Sequence, residues 1–175
     1  MHGDNILKPL QSNGRGQREI SFYEHVKHNG DDDPLTSFLP KYHGVVERND
    51  SLFLVLENLL FGMENPCILD LKMGRHSDPY ASHEKQMREM RKYPLQKDIG
   101  FRITGMRVHR VDGLAPLNIG KELFRCATAR ENIPHALTLF FFDGQRMRYD
   151  LINQTIQQLQ EIQKILMNCP KWEMY

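Results

Sequence analysis

The run Pro66-Cys67-Ile68-Leu69-Asp70-Leu71-Lys72-Met73-Gly74 constrains this chain more than any other segment. Apolar and polar residues alternate from Ile68 to Lys72, and Pro66 and Gly74 bracket them, which is the pattern of a short strand. Side chains two apart on a strand project to one side. Asp70 and Lys72 are therefore expected side by side, an acid and a cation on one rigid element. Phosphoryl transfer needs such a pair, with a carboxylate near the attacking hydroxyl and a cation on the charge that spreads over the transferred group. An ordinary surface ion pair on a strand edge carries the same D-x-K spacing, so the flanking residues must decide.

Length and charge narrow the field. At 175 residues the chain is about one domain long and can build a real core. Lys+Arg 23 against Asp+Glu 22 leaves a formal charge of +1, so no overall field argues for a nucleic-acid partner, and any basic site must be local. Cys67, Cys126 and Cys169 lie far apart without a C-x-x-C, which indicates neither zinc nor a disulfide framework. The eight histidines have no metal-ligand spacing, so no resident metal ligands are assigned. The N-terminus does not read as a signal peptide, and no apolar run reaches membrane length. The expectation is a reduced, soluble, intracellular protein without integral membrane association.

Along the chain, Asn5 to Leu10 reads as a short strand and Ser12 to Gly16 as a loop. Ile20, Tyr23 and Val26 give Gln17 to His28 the spacing of an amphipathic helix. Leu39 to Val46 and Ser51 to Glu57 read as strands joined by a turn at Arg48-Asn49-Asp50. Ser77-Asp78-Pro79 signals a helix start, and that helix is expected to run to about Lys92, before Pro94. Phe101 to Val111 alternates like a strand, while Ala136 to Phe142 fits a buried strand or a buried helix equally. Asp143-Gly144 reads as a turn. Ile152, Ile156, Leu159, Ile162 and Leu166 give Asp150 to Asn168 helical spacing. The order of elements makes the fold class α+β.

Several constellations could carry chemistry. A strand lysine, Lys8, followed by a helix glutamate, Glu19, can form the ion pair that holds a nucleotide's phosphates in kinases, though two solvated surface charges have the same spacing. Asn13-Gly14-Arg15-Gly16 follows the lysine strand instead of preceding it, and reads as a connector. The buried strand Leu52 to Leu56 runs into Glu57-Asn58-Leu59-Leu60, where backbone groups can meet an adenine edge. On the helix after Pro79, Arg88 falls about 60° and Lys92 about 20° from Lys85, so these cations share a face, with Met87 and Met90 opposite, where a core would want them. Such a row suits a multiply phosphorylated ligand. A solvated face paired with Glu84 and Glu89 is the alternative. Arg107 adds a cation on a neighbouring strand.

Taken together, the segments L-K-P-L-Q, R-G-x-R-E-x-x-F-Y-E, L-P-K-Y-H-G, L-E-N, P-C-I-L-D-L-K-M-G, D-P-Y-A-S-x-E-K, K-Y-P-L and I-G-F-R-I-x-G-M-R-V resemble, in order, the inositol polyphosphate kinase family. The resemblance implies a small N-terminal lobe (1–60, with the linker) and a larger C-terminal lobe (61–175), distantly like protein kinases. It implies ATP and Mg2+ as cofactors and a soluble inositol polyphosphate as substrate; a monomer is expected, and reduced cysteines without a targeting segment fit residence in cytoplasm or nucleus. Lys8 would contact ATP phosphates with Glu19 behind it, and Glu57 and Leu59 would belong to the adenine-binding linker. Asp70 and Lys72 would be the catalytic pair. Lys85, Arg88, Lys92 and Arg107 would contact inositol phosphate, the first three from a binding helix over 79–92.

Within that family, the short link after the signature argues against the trisphosphate 3-kinases, which carry a calmodulin-associated insertion there. D-P-Y-A-S-x-E-K and K-Y-P-L look most like the multikinases, and D-L-K-M-G is equally familiar from the hexakisphosphate kinases. Arg88 and Glu89 stand where multikinases often have glutamines. The family also has a glycine-containing hairpin ahead of the lysine strand and, past an aromatic like Tyr175, a strand and a D-F-A aspartate that binds magnesium. With Lys8 so near Met1 and the chain closing at Tyr175, the chain is expected to be truncated at both ends relative to the family, with the C-terminal lobe incomplete. The alternative function is then a non-catalytic inositol phosphate-binding chain. The apolar faces of 101–111 and 152–166 are expected to lack part of their cover.

Overall fold

The computed structural model describes residues 3–30, 33–75, 80–125 and 132–168. They fold as α+β, in agreement with the element order, in two compact units. The first comprises Met1–Glu64 with Ile162–Ile165, and the second Asn65–Glu161 with Leu166–Tyr175.

In the first unit, β1 (Asn5–Pro9), β2 (Tyr42–Arg48) and β3 (Ser51–Glu57) form an antiparallel sheet in the order β1-β3-β2. Leu54 and Leu56 on the central strand are buried, as alternation along a one-sided sheet requires. Asn49 and Asp50 join β2 to β3 with φ of 50° and 56°. Two such residues make the tight hairpin turn whose twist matches that of the strands. Helix α1 (Arg15–Asn29) packs Ile20 and Tyr23 on this sheet, and the Tyr23 ring stacks on Tyr42 at 5.4 Å between centroids. It starts before the expected Gln17 because Gly16 lies inside its first turn. The Gly16 N–H donates to the Gln11 carbonyl at 3.0 Å, and a Cβ there would stand 2.8 Å from that same oxygen. The strand expected from Leu39 begins only at Tyr42. Ahead of it, buried Asp33 folds the chain back, its carboxylate accepting the Leu35 N–H at 3.0 Å, into a 3-10 turn over Thr36–Phe38.

In the second unit, β4 (Ile68–Met73), β5 (Phe101–Val108) and β6 (Leu117–Gly120) form an antiparallel sheet with β5 in the centre. Asp70 pairs with Gly105 but Leu71 pairs with Ile103, so Thr104 is an extra residue on β5. This bulge resets the alternation. Ile103 and Met106, three apart in sequence, both face the core with Val108. Leu69 and Leu71 join them from β4, Leu117 and Ile119 from β6. Phe124 of α4 (Lys121–Arg125) and Ile133, Ala136 and Phe140 of α5 (Asn132–Phe141) close the cluster.

The apolar side of β5 is therefore covered, contrary to expectation: Ile103 and Val108 are each 1% exposed. The ambiguous segment at Ala136 is a helix, because Ile133, Ala136 and Phe140 repeat at helical spacing. Helix α6 (Tyr149–Asn168) matches its expected span, and its Ile156 and Leu159 are exposed. Ser77, Asp78 and Pro79, the expected helix start, lie outside the described residues. Helix α2 (His83–Lys92) begins later, with Ser82 as its cap: the Ser82 hydroxyl accepts the Lys85 N–H at 3.3 Å. It ends at Lys92 as expected, and a short α3 (Gln96–Ile99) follows Pro94.

The Asp143-Gly144 turn is held by the Asp143 carboxylate, which accepts the Gln145 and Arg146 N–H groups at 2.9 Å each. Gly144 has φ +99°, and a Cβ there would stand 2.7 Å from the Asp112 carboxylate, whereas Gly113, with φ +80°, has open space. Gly113→Ala should cost about 1 kcal/mol from backbone strain alone, and Gly144→Ala about 1–2 kcal/mol more. Thermal melts of the two variants compare them directly. Equal melting temperatures would show that Asp112 does not crowd the turn.

Candidate active site

The first unit assembles the lysine–glutamate pair. Lys8 sits on β1 opposite Leu54, and Glu19 projects from the second turn of α1. The close approach at Gly16 sets that helix against the end of β1. Lys8 Nζ and Glu19 Oε1 are 2.5 Å apart, with the two side chains 40% and 23% exposed. The glutamate thus fixes a cation that still reaches solvent and can meet phosphate.

At the end of β3 the Glu57 carboxylate accepts the Lys41 N–H at 3.0 Å, and its own N–H donates to the Lys41 carbonyl at 2.9 Å. Its side chain is thereby tied to the chain entering β2. Asn58, which sequence reasoning leaves without a role, shapes the turn after β3. Its N–H donates to the Asp4 carbonyl at 2.7 Å, its Oδ1 accepts the Leu60 N–H at 3.2 Å, and its carbonyl accepts the Phe61 N–H at 2.9 Å. Between these bonds Leu59 stands exposed, and its N–H meets no acceptor among the described residues. A side-chain-anchored turn presenting a free backbone donor is suited to the edge of a heterocycle. The sequence signal for it is the Asn in L-E-N, a residue prone to bonding the backbone two positions on.

In the second unit, β4 places Asp70 and Lys72 on the face opposite Leu69 and Leu71, and both are exposed. The bulge lies on β5, so the alternation of β4 survives intact. The extra residue also serves β4, since the Thr104 hydroxyl donates to the Asp70 carbonyl at 3.1 Å. The Asp70 carboxylate makes no hydrogen bond or ion pair among the described residues. Beyond Lys72 the strand is moored to α3. The Gly74 N–H donates to the Gly100 carbonyl at 2.8 Å, Gln96 Nε2 donates to the Gly74 carbonyl at 3.0 Å, and Arg75 Nη1 donates to the carbonyls of Lys97 and Asp98.

Lys72 pairs with Arg102 and Ile68 with Arg107 across the ladder. Paired residues share a face, so Asp70, Lys72, Arg102 and Arg107 all lie on the side away from the core. Arg102, overlooked in the sequence, reaches Glu89 of α2 at 3.1 Å and lies over the Tyr93 ring at 3.9 Å. Glu89 also holds Lys92 at 3.1 Å. Burial would raise the Glu89 carboxyl pKa, but Lys92 and Arg102 outweigh it and hold it below the usual range. This tie thus contributes to stability above a free glutamate's pKa and fades as pH falls through the lower folded value.

Helix α2 turns its Lys85, Glu89 and Lys92 side inward and leaves Met87 and Met90 exposed at 38% and 47%. The expectation that the methionines face a core is corrected: ionic and aromatic contacts dock this helix. Lys92 is partly neutralised by Glu89. Lys85, Arg88 and Arg107 make no ion pair among the described residues.

No three His, Cys, Asp or Glu side chains stand together as a metal site among the described residues. Asp70, a single exposed carboxylate, does not by itself hold a divalent ion. No described helix is long and apolar enough to cross a membrane.

The family model for inositol polyphosphate kinase matches residues 53–175. The human inositol polyphosphate multikinase is 37% identical over 166 residues, 90% of this chain and 39% of its own length. The mouse inositol hexakisphosphate kinase 3 is 35% identical over 127 residues, 70% of this chain and 32% of its own. The chain thus spans about two fifths of the multikinase. Among solved structures, the S. cerevisiae inositol phosphate multikinase Ipk2 in complex with ADP and Mn2+ superposes with a TM-score of 0.76 at 28% identity, covering 94% of this chain and 69% of that one. Motif order, sheet topology and these matches agree, and the chain belongs to the inositol polyphosphate kinase family, in which it is most like the multikinases.

Proposed function

We propose that the protein transfers the terminal phosphoryl group of ATP to a hydroxyl of a soluble inositol polyphosphate, as a multikinase. The observation that carries this reading is the exposed Asp70/Lys72 pair on β4, with Arg107 on the same face of β5 and α2 tied to that ladder through Glu89 and Arg102. Asp70 accepts the proton of the attacking hydroxyl. Lys72 stabilises the charge on the transferred group. Lys8, held by Glu19, binds nucleotide phosphates, and the backbone at Glu57 and Leu59 meets the adenine edge. Lys85, Arg88, Lys92 and Arg107 hold the substrate's phosphates as charge-assisted contacts. The relative solved with ADP and Mn2+ supports ATP with a divalent cation, Mg2+ being the general choice; the ion neutralises phosphate charge when bound. The described residues do not make its site. Three separated cysteines support a reducing compartment, cytoplasm or nucleus, and gel filtration tests whether the protein is a monomer.

Asp70→Asn and Lys72→Ala should each lower phosphate transfer from radiolabelled ATP to inositol tris- or tetrakisphosphate by about a hundredfold or more. Both side chains face away from the core, so the melting temperature should hold. Turnover within about tenfold of the parent in either variant would sink the assignment. Binding of inositol phosphate without any turnover in the parent would favour the non-catalytic alternative.

Charge reversal on α2 separates substrate from nucleotide. Lys85→Glu should weaken inositol phosphate binding by about 1.5–3 kcal/mol, with ATP affinity kept. Lys92→Glu should do the same and also lower the melting temperature, because Lys92 is tied to Glu89. Calorimetric titration reads both affinities. An unchanged Lys85→Glu would mean that this face is merely solvated.

A further inference from the structure

We propose that Arg102 is a positioning residue that sets the cationic helix α2 against the catalytic strand and so determines affinity for the inositol polyphosphate. This inference rests on the function proposed above. Arg102 is the cross-strand partner of Lys72, so its backbone shares the ladder that carries the catalytic pair. Its side chain, 14% exposed, leaves that ladder for α2, where Nη1 bonds the Glu89 carboxylate at 3.1 Å. The guanidinium lies on the face of Tyr93, itself 8% exposed, at the C-terminal end of the same helix. Glu89 stands about 40° from Lys85 in rotation about α2, one turn beyond it, on the side away from Lys92 and Arg88. A tie at that point therefore orients all the helix cations assigned to substrate.

None of the residues of α2 is buried, and Met87 and Met90 face outward. The cap at Ser82 and the bond from the Gln86 side chain to the Ala81 carbonyl, at 2.9 Å, are both local to its start. An ion pair that also stacks on an aromatic ring fixes both distance and rotation, which a lysine at the same position does not do. The Arg102 Nε is buried without a hydrogen-bond partner, so the group keeps this geometry despite an unsatisfied donor.

Amide hydrogen exchange and calorimetric titration of Arg102→Met, Arg102→Lys and Glu89→Gln test the proposal together. In Arg102→Met, exchange over residues 83–92 should quicken about tenfold while the sheet of β1, β2 and β3 keeps its protection. Affinity for inositol 1,4,5-trisphosphate should fall about tenfold, and ATP affinity should stay within about twofold. Arg102→Lys should recover part of both losses, and Glu89→Gln should loosen the helix from its other side even if Arg102→Met folds poorly. Unchanged exchange over 83–92 in both Arg102→Met and Glu89→Gln would overturn the proposal, as would equal loss of protection across the whole chain. A parent protein that binds no inositol phosphate would instead overturn the kinase reading, while the exchange data still decide whether Arg102 holds the helix.

Discussion

Pairing Ile68–Met73 with Phe101–Val108 forces a choice of side on every residue of both strands, and one inserted residue makes the choices compatible. Were Thr104 paired regularly and not bulged, strict alternation would put Ile103 and Met106 on opposite faces, and one of them would leave the core. With the bulge, both are buried while Asp70 and Lys72 stay outward. Thr104 also returns a hydroxyl to the Asp70 carbonyl, so the irregularity braces the strand that it faces. A hydrophobic cluster on one side and an array of charge on the other share a single ladder.

Glutamates do similar work in the two units. Glu19 fixes Lys8, and Glu89 gathers Lys92 and Arg102. Neither cation set is buried deeply enough for the desolvation cost of a true interior pair. What the pairs supply is direction: each glutamate holds a long, flexible cationic side chain in one place. Lys85, Arg88 and Arg107 make no such pair among the described residues.

The strand signature is legible because its two faces have different chemistry, so period-two alternation carries both the element and the orientation of Asp70 and Lys72. The same holds for the Asn49-Asp50 hairpin, whose residues tolerate positive φ. Helix α2 is less legible. Asp78-Pro79 is a strong local start signal, but the cap is Ser82, and tertiary ion pairing overrides the expectation that methionines face inward. At α5 a window opening on Ala136 omits Ile133, the residue that fixes the helical period. β6 is only Leu117–Gly120, too short for a pattern to emerge. Arg102 stays hidden because a strand arginine looks the same in sequence whether it faces water or a helix. In the stretch Phe101-Arg102-Ile103-Thr104-Gly105-Met106-Arg107-Val108, the three-residue step from Ile103 to Met106 across a glycine is the available sign of the bulge.

The contact at Gly16 links two scales of behaviour. A backbone hydrogen and a carbonyl oxygen meet where any side chain would intrude, and that contact fixes how near α1 comes to β1. The separation of Lys8 from Glu19 is thus governed by a residue with no functional group. If Lys8 binds nucleotide phosphates as proposed, a variant there would present in the laboratory as a nucleotide-affinity phenotype, with both charged partners intact. A substitution at Gly16 acts through sterics before any charge is altered, and a screen that scores only charged positions would overlook a site that tunes them.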